Sequence, residues 1–270
     1  MSQTIDTAFV KQFESDVHLA YQRMGPKLRG MVRFKEVSAE DTTFQKVGKG
    51  SAGAKDRHGL VPIMNLSHTN VAVTPVDRYA GEYIDKLDLL KTNIDERNIA
   101  ATSIAAALGR VVDQFIVDAM DAGANETTAT GGMTLAKVLE AWEYFGTNDV
   151  PDDGQRFAAV SPAAWSDMLQ LDEFAHADYV GLDELPYKGG MTAKRWMGYL
   201  WFTHSGLTVA SSVRKCNTWH RSAVGYGENS PVYLDVTWDG SRQSWLAVGG
   251  LSCGATLIDE TGFYRIRVTE

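Results

Sequence analysis

Residues 250–254, Gly-Leu-Ser-Cys-Gly, match the G-x-S-x-G pattern that surrounds the nucleophilic serine of α/β-hydrolases. In those enzymes the serine lies on a sharp turn between a strand and a helix, and the catalytic acid and histidine come later in the chain. Here residues 255–258 are β-like, and the last histidine, His220, precedes Ser252. Small residues between paired strands explain the motif better. A cytosolic hydrolase that uses Ser252 is therefore kept only as an alternative interpretation.

Three other patterns resemble ligand sites but lack a required residue. Residues 48–51 resemble a phosphate-binding loop, yet Gly50 stands where that loop needs Ser or Thr. Residues 149–154 resemble a calcium loop, yet Pro151 occupies a ligand position and no Glu closes the loop. The histidines are not paired with Cys or carboxylates at zinc spacing. We therefore predict no catalytic, cofactor-binding or metal-ligating residue and no enzymatic activity.

The composition is that of an ordinary globular protein, with 44% hydrophobic residues among 270. Cys216 and Cys253 are far apart, which favours a reducing compartment over a disulfide framework. No apolar run reaches the length of a membrane span, and residues 1–13 lack the regions of a secretory signal. The net charge of −8 argues against a globally basic nucleic-acid binder.

The charge is unevenly distributed along the chain. Residues 25–60 contain eight Lys or Arg against four Asp or Glu, so this segment carries +4 and the remainder −12. A basic segment on an acidic body suits self-association, although a solvated basic loop is an equally simple interpretation. The candidate inter-subunit residues are Arg33, Lys35, Lys46, Lys49, Lys55 and Arg57, with Asp85, Asp88 or the stretch 172–184 as acidic recipients on a neighbour.

One long helix is predicted from Thr92 to Gly123, spanning roughly 42 Å for about 28 residues. Its apolar residues form two adjacent stripes wide enough to pack on a sheet; they are Ala101, Ile104, Leu108, Val111 and Phe115, and Ala105, Val112, Ile116 and Ala119. Arg110, Asp113 and Asp118 lie off these stripes and are expected to be polar surface. Gly109 costs about 1 kcal/mol relative to Ala in a helix, so a mild bend is expected there.

The elements before this helix do not form a compact unit. Residues 4–24 predict an amphipathic helix that has to dock on another surface. Residues 28–78 predict a long two-stranded loop, with strands at 32–35, 64–66 and 71–73 and a flexible tip at 48–54. Some 15 residues each way would reach roughly 50 Å. Because a lone two-stranded ribbon is marginally stable, a neighbouring molecule is expected to order it.

The second half of the chain predicts a lobe followed by a sheet. A helix at 134–146 has Leu135, Val138, Leu139, Trp142 and Phe145 on one face. Residues 147–224 alternate strands and helices, which favours a small mixed α/β lobe, with Ser161 predicted as the N-cap of a helix that starts at Pro162. Two hairpins close the chain; the first joins 232–237 to 244–248 across Asp239-Gly240, and the second joins 255–258 to 263–268.

Four stretches, in this order, resemble the major capsid proteins of tailed double-stranded-DNA bacteriophages, the Hong Kong-97-like family. The first two are similar to the extended-loop region of one capsid subfamily and to the lead into its spine helix; they are 44–50 with Arg57-His58-Gly59, and 79–88 with 92–97. The last two are similar to its axial domain and closing strands; they are 161–165 with Phe174 and 177–181, and Trp245-Leu246 through 254–255 with Asp259 and Gly262.

The resemblance implies an α+β Hong Kong-97-like fold with a long spine helix on an antiparallel sheet. Its expected parts follow the chain: an N-terminal arm at 1–27, an extended β-hairpin loop at 28–78, a peripheral domain with the spine helix at 79–146, a mixed α/β axial domain at 147–224, and closing strands of the peripheral domain at 225–270.

The implied function is a major capsid protein that assembles as hexamers and pentamers into an icosahedral phage head around double-stranded DNA, which it contacts non-specifically. The implied location is the virion, after assembly in the bacterial cytoplasm, with no membrane and no cofactor. The implied partners are the chain itself, a portal and a separate scaffold protein, because no scaffolding extension precedes the arm. An encapsulin-like compartment shell is the alternative within the same fold.

Overall fold

The computed structural model describes residues 22–87, 96–128, 130–175 and 193–270. The predicted helix at 4–24 lies almost wholly outside these residues, as do Asp88 and most of the stretch 172–184. The strands are β1 (Arg33–Glu36), β2 (Thr42–Val47), β3 (His68–Val73), β4 (Val76–Asp85), β5 (Arg156–Val160), β6 (Ala193–Trp196), β7 (Tyr199–Thr203), β8 (Val209–Ala210), β9 (Val213–His220), β10 (Val224–Asp239), β11 (Ser244–Leu257) and β12 (Phe263–Thr269). The helices are α1 (Glu96–Asp121), α2 (Leu135–Thr147), α3 (Pro162–Met168) and α4 (Asp172–Ala175).

A four-stranded sheet in the order β1-β10-β11-β4 carries the long helix. The predicted hairpin at Asp239-Gly240 is confirmed, since Asp239 pairs with Ser244, but its strands are longer than expected. Strand β4 lies antiparallel to β11 over ten residue pairs. On the other side, β1 runs parallel to the first part of β10, from Gly225 to Glu228.

Helix α1 packs across β11, but the two predicted stripes face inward only in part, since Ala105 is exposed and Val111 and Phe115 are partly buried. Ile104, Leu108, Val112 and Ile116 are each no more than 5% exposed, as the helical periodicity predicted. Gly249 of β11 makes this approach possible, because a Cβ there would lie 2.5 Å from Cγ2 of Ile104. By length and composition α1 could also cross a membrane, but the core helix of a globular protein passes the same test.

The predicted mixed lobe contains a six-stranded sheet, in the order β12-β9-β5-β7-β6 with β8 paired to β9. Ser161 caps α3 as predicted, because its Oγ accepts a hydrogen bond from the Ala164 N–H at 3.0 Å. The predicted face of α2 was partly wrong: Val138 and Phe145 are buried, but Leu139 and Trp142 are exposed. Most aromatic side chains of the lobe pack in one core that is continuous with that of α1.

The prediction of a second closing hairpin was wrong. Strand β12 pairs with β9 of the lobe sheet rather than with β11. Residues 255–257 of β11 pair with the start of β10, and the chain then passes through the 3-10 turn Glu260–Gly262 into the lobe sheet. Arg265 stabilises the observed position, donating to the Met120 carbonyl at the C-terminus of α1 and to Glu126. The last strand therefore belongs to the sheet of the lobe.

The extended loop is a two-stranded sheet as predicted, but with different strands. The pair is β2 with β3, in antiparallel register from Thr42–Val73 to Val47–His68. The predicted strand at 32–35 corresponds to β1, which joins the four-stranded sheet instead. Residues 64–66, predicted as a strand, are not in one. The other two predicted strands correspond to β1 and β3, β2 was not predicted, and the pairing partners could not be read from the pattern.

Asp113 lies in the core, contrary to the expectation of a surface carboxylate. Its Oδ1 accepts hydrogen bonds from the N–H groups of Lys27 and Leu28, at 2.9 and 3.0 Å. Its Oδ2 lies 3.3 Å from Nε2 of His204, at the end of β7. Nδ1 of His204 accepts from the Gly206 N–H, and Nε2 lies 3.3 Å from Nη1 of Arg23 as well as from Asp113. One carboxylate thus connects the start of the described chain, α1 and the lobe.

Gly109 lies where the backbone of the segment before β1 crosses α1 at close range, so this position has no room for a side chain. A Cβ on Gly109 would lie 2.5 Å from both the carbonyl carbon and the carbonyl oxygen of Gly25. The segment that ends at the 3-10 turn Arg29–Met31 therefore passes directly over α1 at this point. Two glycines bring these backbones together, which places Lys27 and Leu28 within reach of Asp113.

Replacement of Asp113 by Ala will leave two backbone N–H groups without their acceptor and remove the carboxylate beside Nε2 of His204. We expect the free energy of unfolding to fall by about 3 kcal/mol, as for other broken buried charged networks. Urea unfolding of the unassembled protein, followed by tryptophan fluorescence, measures the change. Asp118→Ala on the exposed side of the same helix is the matched control and should change it by less than about 0.5 kcal/mol. Equal losses in the two variants would contradict the assigned role.

Gly109→Ala should destabilise the protein, although Ala is favoured over Gly in a free helix by about 1 kcal/mol. The added methyl group has to displace the backbone of Gly25, and overpacking of this kind costs about 1–3 kcal/mol. The control is Gly146→Ala in α2, where a Cβ would meet nothing within 4 Å and the helix preference should dominate. The same urea titration compares both variants, and a stabilising Gly109→Ala would disprove the close crossing.

Candidate inter-subunit surfaces

The base of the extended loop is anchored on the body of its own chain. Phe44 of β2 is 1% exposed and packs with Val73 and Ile258 in a small separate core. Its ring fits over Gly225, where a Cβ would lie 2.6 Å from a ring carbon. The direction in which the loop leaves the four-stranded sheet is therefore set by Phe44. Its ring can pack against Gly225 because glycine has no side chain.

Two of the predicted contact residues have acidic partners in the same chain. Lys46 Nζ lies 2.8 Å from Asp259 Oδ1, and Lys49 Nζ lies 2.9 Å from Asp149 Oδ2. The Lys49 pair is largely exposed on both sides, and exposed pairs of this kind contribute little to stability. These bridges hold the loop beside the turn after α2, where Lys49 also approaches the carbonyl of Asn148.

The pKa values of both carboxyl groups respond to these lysines. Burial alone would raise the pKa of Asp259, but the hydrogen bonds from Lys46 and Thr261 more than offset it, so the pKa lies below its ordinary value. The hydrogen bond from Lys49, with its charge, lowers the pKa of Asp149. A lowered carboxyl pKa means that these bridges contribute above the ordinary Asp pKa and are lost as the pH falls through the lowered value.

The remaining predicted contact residues divide into anchored and free groups. The guanidinium of Arg33 lies 5.5 Å from the centroid of the Phe44 ring, and Lys35 Nζ donates to the Thr43 carbonyl at 2.9 Å. Lys55 and Arg57 are exposed and form no ion pair with any residue that the structure describes. Asp85 is exposed at the end of β4, where its Oδ1 accepts from the Leu87 N–H, and Asp88 lies outside the described residues. Their contacts with a neighbouring copy stay a prediction.

Beyond β2 and β3 the loop continues as a narrow ribbon, residues 48–67. Its two sides touch at glycines: a Cβ on Gly50 would lie 2.8 Å from Sδ of Met64, and one on Gly53 would lie 2.8 Å from Cβ of Pro62. The large apolar side chains of the ribbon are exposed; they are Leu60, Val61, Ile63, Met64 and Leu66. The contact residues predicted here are the basic ones, and the apolar run between Gly59 and Asn65 was not among them, although it is visible in the sequence.

A second exposed apolar surface lies on the outer part of β10. Its exposed side chains are between 38 and 46% accessible; they are Val232, Tyr233, Leu234, Val236 and Trp238. Apolar residues exposed together in this way mark interaction sites more often than scattered ones do. The predicted strand at 232–237 was placed correctly, but nothing in its alternation indicated that both faces would be exposed.

The structure does not give Ser252 the geometry of a nucleophile. Ser252 lies within β11, paired with Ser230 on one side and Asp77 on the other, and the strand continues to Leu257. The elbow motif requires a sharp turn into a helix after the serine.

A second group, Ser222, His220 and Asp153, resembles a catalytic triad in its contacts. There, however, His220 Nδ1 accepts from the backbone N–H and the hydroxyl of Ser222, which is the geometry of a local cap.

Comparison with known proteins agrees with this architecture. A family model described as phage capsid protein matches residues 5–270, whereas no curated protein matches the chain. The fold is similar to the capsid of the cyanophage P-SCSP1u, with a TM-score of 0.80 and 16% identity over 100% of this chain and 96% of that chain. A structure of Mycobacterium phage Che8 gives 0.76 and 16% over 96% and 97%. The capsid of a native GTA particle gives 0.76 and 11% over 99% and 98%.

The family match and the similarity to solved structures support different conclusions. At these identities the solved structures establish the Hong Kong-97-like fold, with its mixed sheets and long helix. The family match covers nearly the whole chain, so the same family accounts for the loop, α1, the lobe and the closing strands. The encapsulin-like and hydrolase alternatives receive no support from these findings. This chain belongs to the phage capsid protein family and is a major capsid protein, a component of the virion whose copies associate into an icosahedral shell.

Proposed function

We propose that this chain is the structural unit of a phage head built from hexamers and pentamers that enclose double-stranded DNA. The observation that carries the proposal is the pair of exposed surfaces, the ribbon and the outer part of β10, on a body that is otherwise held rigid by one continuous core. Two different surfaces on one subunit allow head-to-tail association, which closes into rings when the rotation between successive copies permits it. The role of the chain is structural rather than catalytic.

The wider assembly follows from the same role. A portal and a separate scaffold protein are the expected partners during assembly in the bacterial cytoplasm. Because the net charge of −8 leaves the chain without a globally basic surface, we expect contacts with packaged DNA to be non-specific and confined to local basic groups. The parts of the subunit correspond to an arm at 1–27, the extended loop at 28–78, a peripheral domain around α1 and an axial domain around the lobe sheet, with β12 joining the latter.

The purified protein should form closed shells, either alone or with its scaffold protein. Negative-stain electron microscopy with size-exclusion chromatography tests this directly. The expected result is closed particles whose walls are built from subunits at hexameric and pentameric positions. A chain that stays monomeric in the presence of its scaffold partner would overturn the proposal.

Removal of the ribbon should separate folding from assembly. Deletion of 40–58 would also remove β2 and the buried Phe44, so the structure favours replacing residues 49–66 by Asn-Gly. This design keeps Gly48 beside Ser67, whose carbonyl already accepts from the Gly48 N–H at 2.8 Å. We expect a folded monomer or capsomer, with unchanged near-UV circular dichroism, that forms no closed shells. Normal shells from this variant would show that the ribbon has no part in assembly.

A further inference from the structure

Most of the buried side-chain atoms that lack a hydrogen-bond partner lie together at the end of α1. Among the described residues, these atoms are Oδ1 of Asp121, both amide atoms of Asn217, the hydroxyl of Tyr226 and Nε of Arg265. Asn217 and Arg265 are direct partners on β9 and β12, so their side chains share one face of the lobe sheet. Nη2 of Arg265 lies 3.7 Å from Oδ1 of Asp121, the last residue of α1. All of these atoms except the Tyr226 hydroxyl therefore belong to one cluster.

The polar groups of this cluster are deeply buried. Asn217 is 0% exposed and Arg265 is 4% exposed. The terminal nitrogens of Arg265 donate to the Met120 carbonyl and to Glu126, which leaves only Nε without an acceptor among the described residues. Buried polar groups in folded proteins are hydrogen-bonded, if not to the protein then to a bound molecule. The cluster offers two donor atoms, Arg265 Nε and Asn217 Nδ2, and two acceptor atoms, the Oδ1 atoms of Asp121 and Asn217.

A cleft opens from the surface onto Arg265. Its volume is about 240 Å³, and its charged lining residues are Glu126, Lys215, Arg265 and Arg267. Lys215 and Arg267 form the next cross-strand pair on the same face of the sheet as Asn217 and Arg265. The exposed fraction of the side chain rises from 5% at Arg265 to 23% at Lys215 and 34% at Arg267. Arg265 thus lies at the base of the cleft, and the other two cations lie nearer its mouth.

The charges around the cleft leave an excess of one positive charge. Lys215 and Arg265 share the carboxylate of Asp121, and Arg265 and Arg267 share that of Glu126, so three cations face two carboxylates. The partial negative charge at the C-terminus of α1 is met by Arg265 at the Met120 carbonyl. A ligand with a single negative charge would balance the group.

We propose that this cleft binds dihydrogen phosphate, a tetrahedral anion with one negative charge, two hydroxyl donors and two acceptor oxygens. Its acceptor oxygens would receive hydrogen bonds from Arg265 Nε and the amide nitrogen of Asn217. Its hydroxyl groups would donate to Oδ1 of Asp121 and Oδ1 of Asn217, while Lys215 and Arg267 attract the anion at the mouth of the cleft. The bound anion would connect α1 to β9 and β12 within one chain, so this inference does not rest on the proposed shell.

The orphaned acceptors make the site selective for an anion that carries a proton. Neither sulfate nor the phosphodiester of DNA has a hydroxyl group to donate to Asp121, so each would set an anionic oxygen against the carboxylate. Sites that hydrogen-bond a ligand hydroxyl reject analogues without it, because the buried partner is then left unpaired. The same anion held by a simple basic patch would show no such preference.

Calorimetric titration of the full-length, unassembled chain in chloride buffer at slightly acidic pH tests the site. The three probes are phosphate, sulfate and dimethyl phosphate, which has the charge of the DNA backbone and no proton. We expect one saturable phosphate site per chain and at least tenfold weaker binding of the other two anions. Phosphate should also raise the midpoint of thermal unfolding in proportion to its occupancy, because it binds only the folded chain.

Two substitutions separate recognition of the proton from attraction by charge. Asp121→Asn replaces the orphaned acceptor by an amide that can donate, so the preference for phosphate over sulfate should fall at least tenfold. Lys215→Gln removes a charge near the mouth and should weaken the binding of all anions alike. Lys55→Gln, at an exposed position of the ribbon, is the matched control and should change neither affinity nor selectivity.

Three results would overturn the proposal. The first is the absence of saturable phosphate binding, which would make ordered water the occupant of the cleft. The second is binding of dimethyl phosphate as tight as that of phosphate, which would make the cleft a contact for the DNA backbone. The third is unchanged selectivity in the folded Asp121→Asn variant. All three are measured on single chains, so none of them bears on whether shells form.

Discussion

The buried carboxylate of Asp113 is the interaction on which the arrangement of the subunit depends. A charge in the core is tolerated only where its hydrogen bonds are satisfied, and here the partners come from three separate parts of the chain. The segment before β1, the long helix and the lobe can therefore take only the relative positions that bring Lys27, Leu28 and His204 to one point. The close crossing of Gly25 over Gly109 makes that point accessible.

A rigid body of this kind determines where its adhesive surfaces can be. The core runs without interruption from α1 through the lobe, so the outer part of β10 belongs to one packed body. The Phe44 anchor extends this order to the base of the loop. A shell needs the same contacts repeated many times at a defined geometry, and a subunit that is packed as one body provides it.

The sequence predicted the elements whose signals are local. The stripe from Ile104 to Ile116, the turn at Asp239-Gly240 and the cap at Ser161 all follow from residues within a few positions of one another. What failed depended on distant partners. Asp113 was expected at the surface because helical periodicity treats every carboxylate as solvated, and β12 was paired with β11 because a turn signal cannot show that the last strand joins the lobe sheet instead. The apolar ribbon was overlooked because its neighbouring lysines and glycines suggested a solvated loop.

The relative strengths of the contacts explain why apolar cover, rather than charge, is the better candidate for cohesion. Exposed lysine–carboxylate pairs contribute roughly 0–1 kcal/mol and weaken with salt, and Lys46 and Lys49 already have such partners within the chain. A fully buried Leu, Ile or Val contributes about 1.5–3 kcal/mol and is insensitive to ionic strength. A few such side chains per contact give a weak individual interaction, and repetition around a closed shell converts it into a stable assembly. Weak single contacts also let misplaced subunits dissociate before the shell closes. The modest size of the exposed apolar surfaces therefore suits assembly as well as cohesion.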